Sequence, residues 1–192
     1  MIKIRFISFD VSSVSTGVAV IDREPSGYLT LVHTDIISTN PKHNVGRRLK
    51  NFAEAVQILL ETFRPDYVVK EQTIARMATQ HILLKFAGVL EMIASNEGFP
   101  KIYEYSPTTV KKVVGGHGRA TKEAVLMGTT EYINWNEPID LVIDDISDAV
   151  AICLTHIGKE FVLVPLGEVE KAKEEAMIVE AEASKYLEEA TE

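Results

Sequence analysis

Cysteine is nearly missing. Cys153 is the only one in 192 residues, which excludes an intrachain disulfide and any zinc site built on cysteine pairs. Long apolar runs are missing too: no stretch approaches the roughly 20 residues that a membrane span needs. The opening "MIKIRFISFD" alternates polar and apolar residues where a signal peptide would carry an apolar block. These absences lead to the expectation of a soluble protein of a reducing cytoplasm, with no membrane association. Basic charge is scarce overall, with 20 Lys and Arg against 28 Asp and Glu and a net charge of −8. That balance argues against a nucleic-acid partner until its distribution is considered. Residues 167–192 carry nine Glu and three Lys, while the other 166 residues hold 17 basic and 19 acidic groups. The acidity belongs mostly to the tail, so a basic face on the body stays open.

What is present is an apolar share of 46%, enough for a substantial core. The expected organisation is one domain over 1–166 and an acidic helical tail over 167–192. Residues 2–10, 16–22 and 27–37 read as three strands joined by short Ser-, Gly- and Pro-containing turns, an antiparallel meander. In the first, Ile4, Phe6, Ser8 and Asp10 share one face. Apolar residues at 49, 52, 53, 56, 59 and 60 give one face of a helix over 45–63. A strand at 64–72, a helix at 77–97, a strand at 101–106, and helices from Pro107 and over about 122–133 follow, with a last body helix ending near 157. "KEFVLVPLG" reads as a short extended segment. Three hairpin-linked strands and then alternating helices and strands specify a mixed five-stranded α/β sheet flanked by helices, the order of a ribonuclease-H-like fold.

Acids fall at element ends in this scheme. Asp10 closes the first strand, Glu71 closes the fourth, and "DDISDAVAICLTH" (144–156) opens the last body helix with three aspartates in five positions. Carboxylates at the C-terminal ends of neighbouring strands converge on one crevice. Asp145 and Asp148, three apart, share a helix face. Four such carboxylates suit a pair of hard divalent cations, which activate water against a phosphodiester. Each acid taken alone also has an ordinary use: strand-end turns for Asp10, a solvated edge for Glu71, helix capping for the aspartates.

Four segments then resemble the RuvC family of Holliday-junction resolvases over roughly residues 5–157. "FDVSSVSTGVAVID" looks like the family's first acid and hairpin, "RPDYVVKEQ" its second acidic strand, "YSPTTVKKVVGGHGRATKEAV" its lysine–glycine segment, and "DDISDAVAICLTH" its closing helix. The resemblance implies that Asp10, Glu71, Asp145 and Asp148 are metal ligands for two Mg2+ ions, with Mn2+ as a substitute, and that Asp144 is a helix cap. It also implies functional lysines at Lys111 and Lys122, whose charge would steady the transition state; Lys122 would move a proton only if its pKa were lowered. The implied activity is endonucleolytic resolution of four-way junctions by paired nicks. Two departures stand out. Ile74 occupies a position where the family often has an aromatic, and "DVSS" replaces the usual glycine-containing turn.

Cations expected to meet DNA phosphates are Arg47, Arg48 and Lys50 near the first helix, and Lys111, Lys112, Arg119 and Lys122 around the glycine loop. Gly116 and Gly118 would let backbone amides approach a phosphate, and Ile74 would wedge at the crossover. A two-fold symmetric junction calls for a C2 homodimer. Broader branched-DNA cleavage, an RNA substrate and a non-catalytic junction-binding module are the alternatives. A sugar-kinase or actin-like ATPase fits the first hairpin loosely, but the chain is too short for the two domains that fold needs. The tail glutamates are a candidate competitor for the DNA-binding face.

Overall fold

The computed structural model describes the backbone of residues 2–73, 81–135 and 137–189, and side chains as far as 180. Five strands form one sheet in the order β3-β2-β1-β4-β5. β1 (Ile4–Asp10), β2 (Ser15–Arg23) and β3 (Leu29–Ser38) pair antiparallel, whereas β4 (Tyr67–Glu71) joins β1 in parallel and β5 (Tyr103–Tyr105) joins β4 in parallel. The meander expected from the hairpins and the mixed sheet are both present.

β1 is central, and both its faces are covered, as befits a strand with apolar residues on both sides. Ile7 and Phe9 face α1 (Val45–Phe63) and α2 (His81–Asn96), where they meet Phe52, Val56 and Phe86. Phe6 faces α5 (Asp144–Glu160), over which α3 (Pro107–Val114) and α4 (Lys122–Thr129) pack. Ser8, on the Phe6 face, donates its hydroxyl to the Ala149 carbonyl at 2.7 Å and so ties β1 to α5. Asp10 is the next residue on that face. Everything from Ala149 to Ile157 is buried, because α5 is enclosed between the sheet and two other helices.

Local signals set the helix starts. Asn44, Ser106 and Thr121 cap α1, α3 and α4, each accepting from a backbone amide three residues on, and Pro107 takes the first turn of α3. α4 ends at Thr129, earlier than the expected 133, where Trp135 Nε1 donates to the Thr129 hydroxyl at 3.0 Å. Residues 161–165 form no strand and only link α5 to α6 (Leu166–Glu189). α6 begins against the body: the Leu166 amide donates to Glu131, Val169 is buried, and the Lys173 ammonium lies 3.9 Å from the Tyr28 ring centroid. Tyr28 precedes β3 in the turn after β2, whose last residue Arg23 pairs with Ile4. The helix is therefore attached at the end of the sheet opposite Asp10, roughly 20 Å away along β1. Among the described residues, no helix is long and apolar enough to cross a membrane.

Candidate active site

The parallel pairing of β1 with β4 runs through Phe9 beside Lys70, which brings the next residues, Asp10 and Glu71, side by side at two strand ends. Strand alternation sends Lys70 to the other face. There it is buried and paired with Glu104 at 2.7 Å and Glu91 at 3.4 Å. Above Asp10 and Glu71 lies the first turn of α5. Asp10, Glu71, Lys111, Lys122 and Asp148 line a cleft of about 210 Å3, with Pro107, Val110 and Val125 as its apolar wall.

Crowding of like charges shows in the titration of the strand-end acids. Burial, reinforced by the Asp148, Glu71 and Asp145 carboxylates, pushes Asp10 up to about 7 against the pull of Lys122. Burial, with Asp148 beside it, pushes Glu71 up to about 7 despite Lys111 and Lys122. Lys122 Nζ lies 3.1 Å from Asp148 and 3.3 Å from Asp144. Its pKa is raised: burial works against the charge, but hydrogen bonding to Asp148 and Asp144 outweighs it. That direction favours the charged ammonium over the lowered pKa that proton transfer by Lys122 would require.

Asp145 points elsewhere. Its Oδ2 accepts from the Ser15 hydroxyl at the start of β2, and its backbone rests on Gly17, where a Cβ would come 1.8 Å from the Asp145 carbonyl oxygen. Gly17 is the register partner of Asp10, so the residue beside the first acid is also where β2 comes closest to the start of α5. Neither Ser15 nor Gly17 is marked by the sequence as a site residue; the only signal is "STG" placed just after the first acid.

Asp10, Glu71 and Asp148 thus share the cleft, with the Asp145 carboxylate near enough for its charge to act on Asp10, and carboxylate oxygens are hard donors of the kind Mg2+ or Mn2+ takes. Among the described residues, no three His, Cys, Asp or Glu side chains are gathered closely enough to form a ready-made metal site. Asp144 is not the cap. Ile143 precedes the helix and makes no side-chain cap bond, while Asp144 is the first helical residue and holds Lys122.

The DNA-contact candidates separate. Lys111 and Lys122 line the cleft. Lys112, Gly116 and Arg119 are exposed, Gly118 is half-buried against Thr108, and Gly116 adopts φ +83, a conformation glycine takes without strain. Arg47 and Lys50 are exposed on the first turns of α1, Lys50 beside Glu54 at 3.5 Å. Arg48 as a phosphate contact is overturned. It is 6% exposed, with its guanidinium against the Ser13 carbonyl and the Thr39 hydroxyl and 5.5 Å from the Phe86 ring centroid. Its position on the inner face of α1 turns the charge inward. Ile74 lies outside the described residues.

The family model described as crossover junction endodeoxyribonuclease RuvC matches residues 6–156, from within β1 to within α5, a span that includes Asp10, Glu71, Lys111, Lys122, Asp145 and Asp148. The chain belongs to the RuvC family. A RuvC crossover junction endodeoxyribonuclease of Brevibacillus brevis is 34% identical over 154 residues, spanning 79% of this chain and 90% of that protein. T. thermophilus RuvC, solved in complex with a Holliday junction substrate, superposes with a TM-score of 0.73 at 26% identity, over 85% of this chain and 99% of that one. Fowlpox virus resolvase, solved with substrate Holliday junction DNA, gives a TM-score of 0.53 at 15% identity over 82% of this chain and 99% of that one, a likeness of fold alone. The RuvC match ends at 156, so α6 lies beyond it.

Proposed function

We propose that this RuvC-family protein is an endonuclease that resolves four-way DNA junctions by paired symmetric nicks, using Mg2+ or Mn2+ at a two-ion site. The observation that carries the reading is the convergence of Asp10, Glu71 and Asp148 with Lys111 and Lys122 on one cleft. Asp10, Glu71, Asp145 and Asp148 would hold the ions. When bound, the ions supply Lewis-acid activation of the attacking water and of the phosphodiester.

The chain's own residues do the rest. Asp10 and Glu71, pushed up to about 7, would hold a cation in their ionised form, so protons and the ion compete for their oxygens. The Lys122 ammonium is restrained by two aspartates, so a cation is already placed where negative charge develops on the phosphate, and no reorganisation is needed at the moment of reaction. Lys111 adds a second positive group from α3 across the cleft. Val110, Val125 and Pro107 limit water on that side. Arg47, Lys50, Lys112 and Arg119 supply sequence-independent phosphate contacts, with Gly116 and Gly118 admitting a phosphate to the loop. Two copies related by a two-fold axis would present two such clefts to the two equivalent strands of a junction. A cytoplasmic location accompanies that activity.

The test is Mg2+-dependent cleavage of a four-way junction by the wild type and Asp148→Asn, run beside fork, flap, duplex and RNA–DNA hybrid substrates. The wild type is expected to nick the junction in symmetric pairs, and D148N to bind it without cutting. Normal cutting by D148N would remove the metal assignment. Equal cutting of forks and junctions would make the protein a general branched-DNA nuclease.

A further inference from the structure

The loop between β1 and β2 is tied down far more firmly than a surface hairpin requires. From beneath, the Arg48 guanidinium donates to the Ser13 carbonyl, and its Nε donates to Thr39 Oγ1 at 3.2 Å. Thr39 donates its hydroxyl to the same Ser13 carbonyl at 2.6 Å and its amide to the Val14 carbonyl at 2.8 Å. Within the loop, Ser12 Oγ accepts from the amides of Val14 and Ser15 at 3.3 and 3.4 Å. The Thr16 hydroxyl donates to the Ser12 carbonyl at 2.9 Å and accepts from the Ser12 amide at 3.0 Å. These bonds fix the backbone from 12 to 16. The side chain they aim is Ser15, which crosses to α5 and donates to Asp145 Oδ2.

Resting on the reading of Asp145 as a metal ligand, we propose that Ser15 is a positioning residue for that carboxylate. Gly17 sets how near the Asp145 backbone comes to the sheet; it leaves the terminal carboxylate torsion free, and such torsions are broad. A single hydroxyl on an immobilised loop removes that freedom. It occupies one lone pair of Oδ2 and leaves the other oxygen for an ion. Hydrogen bonds behind a ligand orient it and raise its effective affinity. The buried Arg48 then acts through the loop, as the anchor that keeps Ser15 in place.

The experiment measures Mn2+ binding to the full chain without DNA, by electron paramagnetic resonance of the free ion. Ser15→Ala is expected to weaken binding about tenfold, the lower end of the usual loss for such a supporting residue. Ser15→Thr keeps the hydroxyl and is expected to stay near the wild type. Ser12→Ala disturbs the same loop but not the Asp145 contact, and it should also stay near the wild type. Wild-type affinity in S15A overturns the proposal, as does an equal loss in S12A or in S15T, since either would make the effect one of loop structure. Asp145→Asn separates the two levels. If D145N binds Mn2+ as the wild type does, the ligand assignment fails; if D145N loses binding and S15A does not, only the role of Ser15 is removed.

Discussion

Gly17 and Asp145 touch backbone to backbone: a Cβ on Gly17 would lie 1.8 Å from the Asp145 carbonyl oxygen and 2.4 Å from its carbonyl carbon. Backbone atoms of an enclosed helix do not step aside as a flexible side-chain tip would. The smallest substitution at 17 therefore has to move the start of α5.

Gly17→Ala is accordingly expected to lower stability by about 1–3 kcal/mol, the usual cost of an overpacked site. Junction cleavage should fall about 100-fold, the scale of loss from a displacement of about 1 Å at a reacting centre. Junction binding in chelator should persist, because Arg47, Lys50, Lys112 and Arg119 are exposed on elements other than α5. Thermal unfolding and single-turnover cleavage measure the two effects. A G17A protein that cuts at the wild-type rate would show that α5 tolerates the shift.

The strand-end acids give a pH dependence of defined sign. Asp10 and Glu71 titrate near 7 in the fold against ordinary values of 3.8 and 4.5. Folding thus binds their protons more tightly, so their contribution to stability is complete below those ordinary values and is lost as pH rises through about 7. Thermal midpoints taken in chelator should fall between about pH 5 and 8. Asp10→Asn should flatten that slope and stabilise the protein at pH 8 by on the order of 2 kcal/mol. A D10N slope equal to the wild type's would assign the dependence to other groups. Because protons compete with the ion for these same oxygens, the Mg2+ needed for half-maximal cleavage should rise as pH drops below about 7.

Arg48 and Arg47, adjacent in sequence, should behave oppositely. Arg48→Ala removes a buried donor set from Ser13 and Thr39 and is expected to cost about 1–3 kcal/mol of stability while leaving the salt dependence of junction binding unchanged. Arg47→Ala should leave stability nearly unchanged and reduce the slope of log affinity against log salt by about one. Denaturant melts and binding titrations across salt concentration check both. A reduced salt slope in R48A would return Arg48 to the DNA-binding face.

Much of this fold is readable from local pattern. Capping residues and Pro107 mark three helix starts, alternation along β1 places Phe6, Ser8 and Asp10 on one face, and the hairpin turns give the antiparallel half of the sheet. Where the reading missed, the deciding contact was distant in sequence. α4 stops at Thr129, whose hydroxyl accepts from Trp135 Nε1 six residues on. Asp144 is a partner of Lys122, 22 residues away, and not a cap. Arg48 looks like any helix-surface cation until α1 is packed and its side chain is found to face inward.

The amino-acid sequence by itself determined which acids stand at element ends, because those positions follow from strand and helix periodicity within short windows; the accompanying lysines were marked only by the family resemblance. It also determined the mixed sheet, through hairpin lengths and the order of elements. Only the tertiary structure decided how the groups face one another. Asp145 is held by a serine 130 residues away, the Lys122 ammonium is paired with two aspartates on another helix, and Asp10 and Glu71 are raised by burial and by charges from separate elements. Those effects depend on distance and desolvation, which exist only once the chain has packed.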